Sequence, residues 1–245
     1  MKFISISILL IILGFTQDQY PDADLIIKKL DQNMYSTSLI STSKMTIYGK
    51  RNNRTITSKN YSQGSNKSFT EYLDPARERG TKMLKIDNKL WIYSPSSDRT
   101  IQISGHMLKQ SVMGSDLSYE DMMDERELTE VYDAKVTGTE VVDGRETYIL
   151  ELTAKVTDAT YAKQKMWVDQ ERFVPLRQDL IAKSGKILKR VTLSKVEKIE
   201  GRWFPRQMNY KDMLKQGRGT DFEFVSITFN PKIAPYIFTK ASLKK

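Results

Sequence analysis

"TKMLKIDNKLWIYSP", residues 81–95, sets two short strands around an Asn88-centred turn and stops at Pro95, ahead of a small polar loop. Two apolar-rich runs separated by a tight polar turn specify a β-hairpin. Similar units extend in both directions. Upstream, Met45 and Ile47 alternate with Lys44 and Thr46, and "SFTEYLDP" leads into the charged turn "ARERG". Downstream, Asp143-Gly144, Ser184-Gly185 and Glu200-Gly201 mark further turns. Their flanks alternate: Tyr148, Leu150 and Leu152 share one face, as do Met166 and Val168. The pattern predicts roughly ten strands in an antiparallel meander. So many successive hairpins suggest a strongly curved sheet or an incomplete barrel.

One helix precedes the strands. In "PDADLIIKKLDQNM" (21–34), Ile26, Ile27, Leu30 and Met34 recur at helical spacing, while Lys28, Lys29 and Asp31 take the other side. Pro21 suits the first turn, and Asp22 and Asp24 suit its positive end. The fold class is therefore mainly β with helices, an α+β chain.

Several strands carry large apolar groups on both faces, among them "KLWIY" (89–93) and "DFEFVSITF" (221–229). In the second, Phe222 and Phe224 point one way and Val225, Ile227 and Phe229 the other, unless a bulge intervenes. A sheet with one wet face needs only one such set. Double-sided packing and a concave face lining an apolar pocket both account for it.

The first residues differ in kind. "MKFISISILLIILGFTQDQY" has a basic start at Lys2 and an apolar stretch from Phe3 to Phe15, the length and order of an export signal. Residues 1–16 are expected to be a signal peptide and 17–245 a single domain, with export to the periplasm. The chain has no cysteine, which excludes disulfides, thiol catalysis and Cys-based metal sites. The formal charge is +9; losing residues 1–16 removes only Lys2 and leaves +8. Basic and acidic residues interleave, which fits solvated strand faces with some affinity for acidic headgroups and argues against nucleic acid.

Catalytic patterns are sparse. His106 is the single histidine, and "ISGHMLKQ" supplies neither a second nitrogen ligand nor an acid. No GxSxG elbow, phosphate loop or dinucleotide fingerprint occurs. The acid-rich "QSVMGSDLSYEDMM" (110–123) is the serious candidate. A calcium loop needs oxygen ligands spaced around a bend, yet Gly114 precedes all the acids, and Leu117 and Tyr119 interrupt them. Nor does the spacing establish the carboxylate gap of a glycosidase. Helix-start chemistry explains more: Ser118 with Asp121 approximates a capping box, Glu120 and Asp121 suit a first turn, and Leu117 can act as an apolar staple.

Three blocks in order, "YLDPARERGTKMLKIDNKLWIYSPSSDRTIQIS" (72–104), "SVMGSDLSYEDMM" (111–123) and "ITFNPKIAPYIFTKASLKK" (227–245), resemble the outer-membrane lipoprotein-sorting protein family, the LolA-like periplasmic carriers, in a divergent branch. The resemblance implies a highly curved antiparallel sheet forming an unclosed barrel, with helices covering its concave face. It implies a non-enzymatic periplasmic carrier, without cofactor or metal, that binds the acyl chains of a lipoprotein or a free lipid. Such a carrier, expected to be a monomer, receives cargo from an inner-membrane transporter and passes it to an outer-membrane acceptor. The alternatives are a lipid-sensing regulatory module and, with less support, an envelope hydrolase.

On this view Ile27, Leu30, Met45 and Met113 are candidate cavity-lining residues, with Trp91, Tyr93 and Phe224 as rigid wall. Methionine suits such a lining because it is flexible, and Met107, Met122 and Met123 extend the set. The segment Gly114, Ser115, Asp116, Leu117, Ser118, Tyr119, Glu120, Asp121 and Met122 is a candidate gate or rim. The best-studied carrier of the family holds its closed state with an arginine; residue type alone does not assign that role to Arg54, Arg77 or Arg79.

Overall fold

The computed structural model describes residues 20–49 and 51–244; the expected signal peptide lies outside them. Helix α1 (Ala23–Met34) begins at Asp22, whose carboxylate accepts the Asp24 N–H at 2.9 Å. Pro21 stands just outside that cap. Ile26, Ile27 and Leu30 are buried, whereas Leu25 is exposed.

Six strands follow: β1 (Ser38–Tyr48), β2 (Asn53–Gln63), β3 (Lys67–Asp74), β4 (Lys82–Ile86), β5 (Lys89–Ser94) and β6 (Arg99–Ile103). A long crossing segment, 104–127, holds only 3-10 turns and leads into the short helix α2 (Leu128–Val131). Four more strands are β7 (Tyr132–Val142), β8 (Arg145–Ala154), β9 (Lys163–Asp169) and β10 (Pro175–Ile181). The last three are β11 (Ile187–Ile199), β12 (Arg202–Asp212) and β13 (Thr220–Phe229), before two terminal 3-10 turns.

All thirteen strands belong to one sheet, ordered β6-β5-β4-β3-β2-β1-β13-β12-β11-β10-β9-β8-β7. The ladders are antiparallel throughout, and β1 with β13 joins two meanders at the centre. This corrects the expected barrel. The sheet is open and neither strongly curled nor closed, with β6 and β7 as its two edges and no ladder between them among the described residues. Its core is correspondingly divided: α1 and α2 cover Leu150, Leu152, Met166 and Val168 at one end. At the other end, Met45, Ile56, Met83 and Leu90 lie under Met107, Leu108 and Met122 of the crossing segment. Each end has its own cover, so burial does not require the edges to meet.

Directly paired residues of an antiparallel ladder share a face. By that rule Ile56, Met45, Phe222, Met208 and Leu193 form one apolar row across β2, β1, β13, β12 and β11. Behind it, Phe69, Leu84 and Trp91 face the opposite side and are covered by Ile233, Phe238 and Leu243 of the C-terminal segment. The two apolar faces of "KLWIY" are therefore both packed.

Strand β13 differs. Ser43 pairs with Phe224 and Thr42 with Ser226, so Val225 is an extra residue in the ladder. The bulge turns Val225 outward, 50 % exposed, and brings Phe224 onto the same cluster as Ile227 and Phe229. Phe204 meets Phe224 and Phe229 edge-on, at 5.3 and 5.4 Å between ring centroids.

Candidate functional site

The larger cavity, about 240 Å³, lies between the helices and the inner face of β9–β12. Met166, Leu180, Val191, Leu193 and Met208 form its floor. Leu30 and Met34 of α1 and Leu128 and Val131 of α2 form its roof. Helix α2 is placed by Asp31, whose Oδ2 accepts the Thr129 N–H at 3.2 Å and the Thr129 hydroxyl at 3.0 Å. One helix thereby anchors the start of the other.

Polar side chains at the margin satisfy one another. Arg126 grips Asp124 through two bonds at 2.8 and 2.9 Å and reaches Asp158 at 3.1 Å. Gln178 donates to Gln164 at 2.5 Å, and the Tyr132 hydroxyl donates to the Tyr161 carbonyl at 3.1 Å. Burial raises the phenols of Tyr35, Tyr132 and Tyr161 above their ordinary value, and pushes Tyr210 up to about 12. Neutral phenols and paired charges around aliphatic walls favour holding an apolar group over reacting with one.

A second cavity, about 60 Å³, lies beneath the crossing segment. Met45, Ile56, Tyr72, Val112, Leu117, Met122 and Phe222 line it, beside Ser43, Ser58, Asn60 and Thr70.

The crossing segment separates the two spaces and is tied to strands on both sides. Its residues 110–119 form a narrow loop, closed by Val112 N–H to the Leu117 carbonyl at 2.8 Å and Tyr119 N–H to the Gln110 carbonyl at 3.1 Å. Met113 and Gly114 both adopt positive φ at its tip, 51° and 75°, the second a conformation that suits glycine. Arg54 of β2 donates to the Met113 carbonyl. Asp116 accepts the Thr220 hydroxyl at 2.9 Å and the Asp212 N–H at 3.0 Å. Asp121 accepts from Ser118, from the Tyr161 hydroxyl and from Lys189 of β11. Further on, Glu125 pairs at 2.8 Å with Lys85 of β4, which is 2 % exposed. Burial raises the Glu125 carboxyl, and Lys85 opposes the rise.

The expected capping box is half realised. Asp121 does reach back to the Ser118 N–H at 2.7 Å, but the Ser118 hydroxyl donates to the same carboxylate and caps nothing. Only a 3-10 turn, Glu120–Met122, follows. Among the described residues no group of three or more His, Cys, Asp or Glu side chains could hold a metal ion. His106 is exposed in a 3-10 turn.

The residues singled out by sequence are distributed as follows. Leu30 lines the larger cavity, with Asp121 at its margin. Met45, Leu117 and Met122 line the smaller one, and Met113 packs in the cluster around it. Ile27 packs in the helix–sheet core and Phe224 against Phe204. Trp91 and Tyr93 pack on the opposite face of the sheet, with the C-terminal segment. The anchors Lys85, Lys189, Thr220 and Tyr161 were not anticipated. Lysine at 189, in phase with Val191 and Leu193, was the legible sign: a charge on an apolar face requires a partner.

A family model described as "Uncharacterized protein" matches residues 64–245. The chain belongs to that family. No curated protein matches it. Among solved structures it is similar to a DUF1329 family protein from Desulfovibrio piger, at 28 % identity and TM-score 0.79, over 89 % of this chain and 96 % of the other. It is also similar to a domain from Vibrio parahaemolyticus described as an outer membrane lipoprotein-sorting protein: 22 % identity, TM-score 0.76, over 90 % and 97 % of the two chains. A LolA superfamily protein from Nitrosomonas europaea matches at 24 % identity and TM-score 0.76, over 91 % of this chain and all of the other. The family member described here shares the LolA superfamily fold, as its sequence blocks suggested.

Proposed function

We propose that this protein is a non-enzymatic periplasmic carrier that holds an acyl chain of a lipoprotein or lipid in the cavity beneath α1 and α2. The observation that carries the proposal is a cavity of about 240 Å³ with an aliphatic floor and roof, its lining charges already paired, set in a fold shared with a lipoprotein-sorting domain. Each buried CH₂ contributes about 0.8 kcal/mol, so a partly inserted chain binds usefully and still dissociates. Ligand pockets commonly measure about 300–1,000 Å³. A long chain therefore enters only as α1 or the crossing segment moves away from the sheet, with Met34, Met166 and Met208 repacking around it. An inner-membrane transporter would load the carrier, and an outer-membrane acceptor would unload it.

Purification from the native envelope without detergent, followed by native mass spectrometry, tests this. Stoichiometric acylated protein or free lipid is the expected result, reduced by Val191→Trp, which fills the cavity. Repeated recovery without lipid, or cargo unaffected by the filled cavity, would overturn the proposal.

A further inference from the structure

Four hairpin tips stand side by side at one end of the sheet: the β10–β11, β12–β13, β1–β2 and β3–β4 turns. With about 4.8 Å between strands, they span about 30 Å. The first carries Lys183 and Lys186, the second Lys215 and Arg218, all exposed. Arg51 lies on the third and Arg77 and Arg79 on the fourth, also exposed.

Acids on these four tips are mostly turned inward, and the exposed Asp98 and Asp158 on the β5–β6 and β8–β9 turns at the same end are paired with Lys244 and Arg126. Glu78, its side chain 12 % exposed, pairs with Arg54 at 3.3 Å and lies 3.9 Å from Arg77. Asp212 and Asp221 are 17 % and 18 % exposed and lie near Lys215 and Arg218. Asp74 is open but lies 3.7 Å from Arg79. The turns of the opposite end carry exposed Asp87, Asp143, Glu171 and Glu200 beside the exposed Lys89 and Lys198. The second basic tip also presents Met213 and Leu214, 40 % and 58 % exposed.

We infer that this end docks on a bilayer surface rich in anionic phospholipid. The lysines and arginines meet the headgroups, while Met213 and Leu214 enter the interface. An apolar pair flanked by cations suits the boundary between headgroups and acyl chains, whereas a purely acidic protein surface leaves the pair without a match. Two apolar side chains anchor weakly, so attachment is reversible and governed by charge. The inference does not depend on the identity of any cargo.

Co-sedimentation of the purified protein with vesicles tests it, using phosphatidylcholine alone or with about 30 % phosphatidylglycerol. Binding is expected only to the anionic vesicles and is lost in about 0.5 M salt. Each basic residue near such a surface is worth about fivefold in partitioning. Lys183→Glu with Lys186→Glu should lower binding at least about tenfold. The same charge change at the opposite end, Lys89→Glu with Lys198→Glu, should lower it less than about twofold. Leu214→Ser should weaken anionic binding without changing the melting temperature. Equal weakening by both charge-reversed pairs, equal binding to neutral vesicles, or binding to neither vesicle would overturn the inference; capture by an acidic protein instead would point to a different partner.

Discussion

The Asp116 carboxylate accepts the Thr220 hydroxyl at 2.9 Å, joining positions 104 residues apart. The same side chain accepts the Asp212 N–H at 3.0 Å, so one residue fastens the crossing segment to the β12–β13 hairpin. Thr220 is fully buried. Asp116→Ala should therefore cost about 1–3 kcal/mol, the penalty for stranding buried polar groups, and Asp116→Asn less. Urea unfolding measures both; equal stability of the alanine variant and wild type would contradict this role.

Lys189 and Asp121 form a second fastening, with side chains 11 % and 5 % exposed. Lys189→Met leaves a buried carboxylate without its cation, at a cost of about 3–5 kcal/mol. The amides of residues 110–123 should exchange faster with solvent. Combining it with Asp121→Leu should recover part of the loss, because the stranded charge is gone. Unchanged exchange in the single variant would show that the ion pair does not hold the segment.

Phe204 and Val225 offer a contrast on adjoining strands. Phe204→Ala removes a ring packed edge-on against two others and should cost about 3–5 kcal/mol. Val225→Thr, at the outward bulge, should stay within about 0.5 kcal/mol of wild type. Comparable losses from the two substitutions would mean that the bulge is placed wrongly.

Asp31 gives a pH dependence of known sign. Burial raises its carboxyl above 3.8, against the opposing bonds from Thr129 and Leu128. The folded state then holds this proton more tightly than the unfolded chain does. Its contribution falls as pH rises from 3.8 through the raised value. Asp31→Asn lacks that dependence, so its stability deficit relative to wild type should narrow over this interval. Thermal melts across the acid range would refute the assignment if the deficit widened.

The hairpins around Asn88, Asp143 and Gly201 were legible because a turn and its alternating flanks lie within a few residues. The five-residue β6, which follows the polar loop after Pro95 and is mostly exposed, was harder to read. The segment 114–122 stood out in the sequence, but its ties to distant strands did not. Asp116 and Asp121 draw their partners from β11, the β12–β13 hairpin and the β8–β9 connection. Local spacing suggested a helix cap because only local partners are visible to it. Trp91 and Phe224 show the same limit, since alternation tells which residues share a face and not what covers that face.

What the sequence determined by itself was local: the α1 stripe, the antiparallel pattern and the turns, each written in a period of 3.6 or 2 residues. Closure was not local. Whether strands curl into a barrel depends on how twist, bulges and covering segments act together, and here separate covers at the two ends leave an open sheet. The outward turn of Val225, the burial of Lys85 and Lys189, and the alignment of basic tips at one end likewise arise only once distant strands pair.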